Sequence, residues 1–505
     1  MRAGSMISPR RRSIALIIVI VLVFIGTFSI EKAQHSPSSL ADYQSQKLTW
    51  STCYDNFECT YLQVPIDYLN FKEGAFKLRV LRLKATNQRK KIGSLVINPG
   101  GPGASGVNYA YNAEYIFGPS LLEKYDIVGF DPRGIGDSDP IRCLTNSQTD
   151  ASFAADSKPD NQKELNVLIK QMREYVARCE SQTQDILHYS TADSARDMDL
   201  LRSALGDRKL NYLGVSYGTY LGTLYADFFP DKVGRMVLDG AISPIVTSTE
   251  QNLTQAVAFD SALDAFIADC YTRSDCVLQQ PVAAARLQFI SLFQKAAKKP
   301  LSSSKGRAVT ESLVVLGTAS ALYDRATGWP QLRASLKQAQ TGDGDNFLAL
   351  ADEYAQRNSD GTYSSNETDA QFVIDCLDWK GPRTTAEIVR EAKVFAAKAP
   401  VFGPYLAYSG LSCQFFPKLA IASPVIKKIS TTPIIIVGTT RDPATPYSWA
   451  LDLHSAILNS RLVSLNGDGH TGYGHGSSCV DSAVDHYFLT GIPPAQDLTC
   501  TSPTQ

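Results

Sequence analysis

The stretch GVSYG, Gly214 to Gly218, sets one serine between two glycines, straight after the apolar NYL and before TYLG. A serine hydroxyl becomes a useful nucleophile only when an adjacent base removes its proton. A strand that turns sharply into a helix would lift Ser216 above the sheet edge. Glycines are needed on both sides because side chains would clash in so tight a turn. The pattern alone also fits a plain surface turn, so its meaning depends on the flanking elements and on partners elsewhere in the chain. The chemistry would be acyl transfer through a serine ester.

A base and an orienting acid must then exist. Of the six histidines, His35 precedes the main body, and His188 and His454 sit in helix-like or unassigned stretches. His470 directly follows the strand-like RLVSL within SLNGDGHTGYGHG, where Gly469 and a polar loop suit an exposed imidazole. His475 and His486 are rivals, and a surface-loop histidine is the bland alternative for each. The acid best placed is Asp442, which ends PIIIVGTTRD 28 residues before His470. Asp239, at the end of RMVLDG, is the serious rival; Asp468 is too close to His470 to orient it. The chain order Ser216, Asp442, His470 is one of the known orders of such a triad. Thr445 is near enough to bond the acid, or is only a turn hydroxyl.

An oxyanion needs two backbone N–H donors. Tyr217 supplies one by position. Gly101, in NPGGPGASG (98–106), supplies the other, since four glycines in nine residues let backbone approach a substrate. A phosphate-binding loop is excluded because no Gly-Lys-Ser/Thr follows.

These residues need a scaffold. FKLRVLRLKA (76–85) alternates like a strand, and GSLVIN, YDIVGF, KLNYLGV, GRMVLD and TPIIIVG read as buried strands. Residues 193–205 and 217–229 read as helices between them. Apolar strands alternating with helices predict a mostly parallel sheet covered on both faces, an α/β fold. From 244 to 423 the segments are mainly helical, which predicts an inserted cap between core parts 48–243 and 424–505.

Arg10, Arg11 and Arg12 precede the uncharged SIALIIVIVLVFIGTFSI (13–30). Residues 1–30 therefore read as a signal peptide or an N-terminal membrane anchor, followed by a polar linker at 31–47. Removing 1–30 takes four Arg and no acid from 49 basic and 50 acidic residues, moving the net charge from −1 to about −5. No basic block remains to hold nucleic acid, no metal-type Cys/His spacing is present, and no cofactor is expected. The ten cysteines all follow the leader, as expected of disulfides in an exported chain. Their connectivity is not deducible from sequence; pairing of sequence neighbours is the expectation, namely Cys53–Cys59, Cys143–Cys179, Cys270–Cys276, Cys376–Cys413 and Cys479–Cys500.

Together NPGGPGASG, DPRGIGDS, GVSYGTYLG, RDPATP and GDGHTGYG resemble the exported tripeptidyl aminopeptidases and proline iminopeptidase-like enzymes of the α/β-hydrolase superfamily, frequent in actinobacteria. The resemblance covers nearly everything after residue 48, the cap matching more in size than in motif. Proline iminopeptidases have His where this chain has Pro99, which speaks against proline specificity. The resemblance implies an α/β-hydrolase sheet with a helical cap and serine exopeptidase activity on peptide or protein N-termini. Such an enzyme must hold a free ammonium, and VIDCLDW offers Asp375 and Asp378 beside Cys376; ordinary solvated acids are the alternative. Arg133 and Asp137 of DPRGIGDS read as structural. An exported esterase or lipase would use the same triad; a non-enzymatic binding protein would need a broken one.

Overall fold

The computed structural model describes residues 37–378, 384–417, 426, 428–429 and 431–502. Ten strands form one sheet: β1 (Ser51–Tyr54), β2 (Phe57–Asp67), β3 (Asn70–Leu83), β4 (Gly93–Asn98), β5 (Tyr125–Phe130), β6 (Leu210–Val215), β7 (Val233–Asp239), β8 (Ile434–Arg441), β9 (Ser460–Asp468) and β10 (Leu498–Thr501). Their spatial order is β1-β2-β3-β5-β4-β6-β7-β8-β9-β10. Strands β1, β2, β3 and β5 pair antiparallel, and from β5 through β10 every pairing is parallel.

Every residue of β4 and β5 is buried, as expected of parallel strands covered on both faces. Alternation divides β8 between two cores. Ile434 and Ile436 join Tyr212, Met236 and Leu238 beneath the helices Thr191–Ala204 and Tyr217–Phe228. Ile435 and Val437 join Leu95, Ile97, Leu213 and Val463 on the other face, against the helix Ser478–Thr490. The sheet is thus a sandwich filling in which one-residue register slips would exchange the two cores.

Among the described residues, seven helices of ten residues or more lie between β7 and β8, from Ser248–Cys270 to Thr385–Lys398. Phe259, Phe266, Phe289, Phe293, Trp329 and Phe347 give this region its own apolar core. The five disulfides join the expected sequence neighbours, and no cysteine is free.

Four segments depart from the sequence reading. Strands β1, β2 and β10 were not anticipated. Strand β2 carries Pro65 at a register irregularity, and β10 is only four residues long, so neither shows clean alternation. The linker expected at 31–47 is not simply a linker from residue 37 onward. A short helix, Leu40–Ser45, buries Tyr43, whose hydroxyl donates to the Gly74 carbonyl, and Gln46 brackets the Gln63 backbone. The apolar stretch 13–30 lies outside the described residues; within them, no helix is long and apolar enough to cross a membrane.

Candidate active site

Strand β6 ends at Val215, and the helix Tyr217–Phe228 starts two residues later. Ser216 makes the turn with φ 55° and ψ −125°, a left-handed conformation unusual for a residue with a Cβ. Strain of this kind costs on the order of 1–3 kcal/mol and persists only when the surroundings over-determine it. Here the Ser216 N–H donates to the Asp239 carbonyl at 2.8 Å, and its own carbonyl accepts from Thr219 N at 2.8 Å. A Cβ on Gly214 would meet the Gly218 carbonyl oxygen at 2.3 Å, and one on Gly218 would meet the Asn98 carbonyl oxygen at 2.8 Å. The flanking glycines are therefore steric requirements of this turn.

The loop after β4 is pressed against it. Gly100 has φ +102°, and a Cβ there would stand 2.6 Å from the Val215 carbonyl oxygen and 2.9 Å from both Ser216 Cβ and Tyr217 N. The Gly100 N–H is taken by Asn98 Oδ1 at 3.0 Å. The N–H groups of Gly101 and Tyr217 donate to no group among the described residues. Two backbone donors thus flank Ser216 from two different elements.

His470 follows β9. Its Nδ1 lies 2.9 Å from both carboxylate oxygens of Asp442, which follows β8. Asp442 is buried and also accepts from Ala444 N, Thr445 N, Thr471 N and Thr445 Oγ1 at 2.8–3.0 Å. A carboxylate so furnished is held in one rotamer. Burial works against the imidazolium of His470, but the charge and hydrogen bond of Asp442 outweigh it, and its pKa lies above the ordinary value. The ring also reaches the elbow: a Cβ on Gly240, next to the carbonyl that holds Ser216, would lie 3.3 Å from His470 Cε1. Ser216 Oγ and His470 share no hydrogen bond, while the ring's Nδ1 side is engaged by Asp442 and Thr445.

The rival groups are engaged elsewhere. Asp239 accepts from Gly472 N and Tyr473 N at 2.8–3.1 Å and so fixes the loop after His470. Burial, only partly offset by those bonds and the nearby imidazoles, pushes its pKa up to about 6. Asp468 pairs with Arg441 and Arg325. His475 Nε2 faces Thr471 Oγ1 at 3.0 Å, and His486 is exposed on the last long helix. Arg133 is buried in a two-pronged pair with Asp197 and donates to the carbonyls of Pro65, Ile66 and His188, which is a structural part. Tyr323, from the helical region, carries no sequence signal. Its carbonyl accepts from His470 N at 2.8 Å, and its ring stands edge-on to the imidazole at 5.3 Å.

Ser216, Gly101 and Tyr217 open onto a cavity of about 530 Å³ that Asp375 and Asp378 also line. Phe153, Phe259, Phe372, Phe402, Leu316 and Leu406 form its apolar wall. Asp378 is tied to the neighbouring helix start: it accepts from Thr191 N at 3.2 Å and from Thr191 Oγ1, which also meets the Tyr217 hydroxyl. Asp375 is exposed and is one of the residues that line the cavity. Desolvation first, then the charge of Asp378, pushes its pKa up to about 8. Cys376, which lies between the two acids in sequence, is tied to Cys413 by a disulfide. A strained serine, two backbone donors and a carboxyl in want of a cation therefore share one cavity, and the acid-oriented imidazole lies beside the turn that holds the serine.

A family model of the alpha/beta hydrolase fold matches residues 93–476. Among similar proteins, the serine protease Hip1 of Mycobacterium tuberculosis is 33% identical over 460 residues, covering 88% of this chain and 87% of that one. A tripeptidyl aminopeptidase of Streptomyces lividans is 33% identical over 474 residues, covering 90% and 86%. Carboxylesterase B of M. tuberculosis is 36% identical over 472 residues, covering 90% and 89%.

Proposed function

We propose that this chain, which belongs to the α/β-hydrolase family and is a serine hydrolase, is an exported exopeptidase that releases short peptides from free N-termini. In this reading Ser216 attacks the scissile carbonyl while His470 takes its proton, and Asp442 holds the imidazole with Nδ1 protonated. The tetrahedral oxyanion sits between the N–H groups of Gly101 and Tyr217. Collapse expels the amine of the downstream peptide, which takes the proton from His470 and leaves an acyl-serine. Water then attacks that ester as His470 takes its proton, and collapse releases the acid while His470 returns that proton to Ser216 Oγ.

The observation that carries the exopeptidase reading is Asp375. Its carboxyl lines the same cavity as Ser216 and has no hydrogen-bonding partner among the described residues. A substrate ammonium would supply the missing countercharge. Asp378 serves from behind, because Thr191 already engages it. The tripeptidyl aminopeptidase and serine protease relatives support peptide substrates. The helical region 244–423 is the cap that brings these acids over the serine, and 1–30 is the signal or anchor that sends a disulfide-bonded chain outside the cytoplasm, secreted or held at the membrane. The second reading, a carboxylesterase, draws on the carboxylesterase relative and on the aromatic wall of the cavity.

Chromogenic tripeptide substrates with free and acetylated N-termini, beside short acyl esters, test the choice. A charge-assisted contact is worth about 1.5–3 kcal/mol, so the free amine is expected to be favoured about ten- to a hundredfold in kcat/KM. The pH dependence follows from the two groups. Below about 8 the empty site's Asp375 is protonated and must release that proton to bind an ammonium. Above about 8 the peptide amine loses its own proton. The preference is therefore expected to peak near pH 8 and fall on both sides. Equal rates on the free and acetylated peptides, with fast ester turnover, would establish the esterase reading instead.

A further inference from the structure

Glu367 opens the helix Glu367–Leu377, whose far end carries Asp375. This helix start lies against the turn that holds Gly101. A Cβ on Gly103 would stand 2.6 Å from the Glu367 carbonyl oxygen, and a Cβ on Gly101 would stand 3.2 Å from Glu367 Oε1. Gly101 and Gly103 have φ near +105° and +110°, so glycine serves both the turn and this close approach. Neighbouring residues rivet the helix start in place. Asn366 accepts from Gly136 N and donates to the carbonyls of Gly134 and Ile141 at 2.8–2.9 Å. Asp369 accepts from Cys143 N, Leu144 N and the Tyr175 hydroxyl.

The carboxyl itself is held but not neutralised. Gln356 Nε2 donates to Oε2, and no Lys or Arg pairs with it among the described residues. The titratable groups that feel it are Tyr323 and Tyr354 from the neighbouring helical region, with His470 beyond Tyr323. On its own helix Asp369 is occupied by backbone donors, and Asp375 lies about two turns away. Burial alone raises the Glu367 pKa to about 7.

We propose that Glu367 is a positioning residue for the oxyanion hole, bracing the Gly101–Gly103 turn while its carboxyl is neutral and opposing the oxyanion once it ionises. The inference rests on the serine-hydrolase reading of Ser216 and is independent of peptidase or esterase preference. A negative charge behind the loop that receives a developing negative charge raises the barrier, by an amount that grows in a low-dielectric interior. A neutral carboxyl leaves the Gly101 N–H unopposed.

The test compares wild type with Glu367→Gln and Glu367→Ala on an acyl nitrophenyl ester that lacks an amine, reading kcat and KM separately from pH 6 to 10. Fluorophosphonate labelling of Ser216 is read in all three. Glutamine keeps the shape and hydrogen bonding of the neutral acid but cannot ionise. Wild-type kcat is expected to fall on the alkaline side, while E367Q holds its rate and exceeds wild type by about tenfold at pH 9, with KM changed less than about twofold. E367A is expected to lose about tenfold in kcat at every pH, because the brace is gone. Normal labelling with coincident wild-type and E367Q profiles overturns this inference alone. Failure of wild type to label overturns the triad reading and this inference with it.

Discussion

Ser216→Ala is expected to lower turnover by about four to six orders of magnitude with little change in thermal stability. Alanine keeps the Cβ that the turn at φ 55° already accommodates, so the strain is unchanged. The Ser216 side chain makes no hydrogen bond among the described residues, and its backbone bonds to Asp239 and Thr219 survive the substitution. Activity on any chromogenic acyl substrate, read beside a melting curve, measures both quantities. A fluorophosphonate should label wild type at Ser216 and fail on the mutant. Labelling that persists in the mutant would move the nucleophile to another residue.

Asp442→Asn is expected to cost about 10⁴-fold in kcat, through the wrong His470 tautomer rather than through misfolding. The two Asp442 oxygens accept from three backbone N–H groups, Thr445 Oγ1 and His470 Nδ1. An asparagine retains one acceptor oxygen and turns an NH₂ group toward the others. With an NH₂ facing Nδ1, the imidazole carries its proton on Nε2, where it cannot take one from Ser216. The sign of the pH effect also follows. Asp442 is what raises the His470 pKa against burial, so without that charge the pKa drops. Activity requires neutral His470, and the acid limb of the residual activity should therefore move to lower pH. Asp239→Asn should cost far less, because Asp239 bonds the backbone of Gly472 and Tyr473 and not the imidazole. If the Asp239 variant proves the more damaging, the acid has been assigned to the wrong strand.

The local features of the site were legible in the sequence because their causes are local. The elbow shows in GVSYG between an apolar strand and an apolar helix, although Asn98 and Asp239 from other strands complete its constraints. Buried parallel strands announce themselves as unbroken apolar runs, as in SLVIN and DIVGF, and the helical region announces itself by length. The two six-residue cysteine spacings can close small loops, and those pairs form, as do the three wider neighbour pairs whose connectivity the sequence left open. Strands β1, β2 and β10 escaped because a short edge strand, or one interrupted by Pro65, has too little periodicity to distinguish it from a loop.

What the sequence by itself determined is therefore the α/β layout, the strained serine, and the short list of groups able to serve it. Tertiary structure decided how that list is divided. Asp442 and Asp239 both end apolar strands, and only the packing of adjacent strands turns one toward His470 Nδ1 and the other toward the backbone two residues beyond. Asp375 and Asp378 are three residues apart, yet Thr191, nearly two hundred positions earlier, occupies one and leaves the other facing the cavity. Tyr323 against His470, and Glu367 against Gly101, join residues separated by well over a hundred positions. Turn sterics and periodicity act over a few residues and are written in them. Which charge is left uncompensated depends on what the folded chain brings beside it.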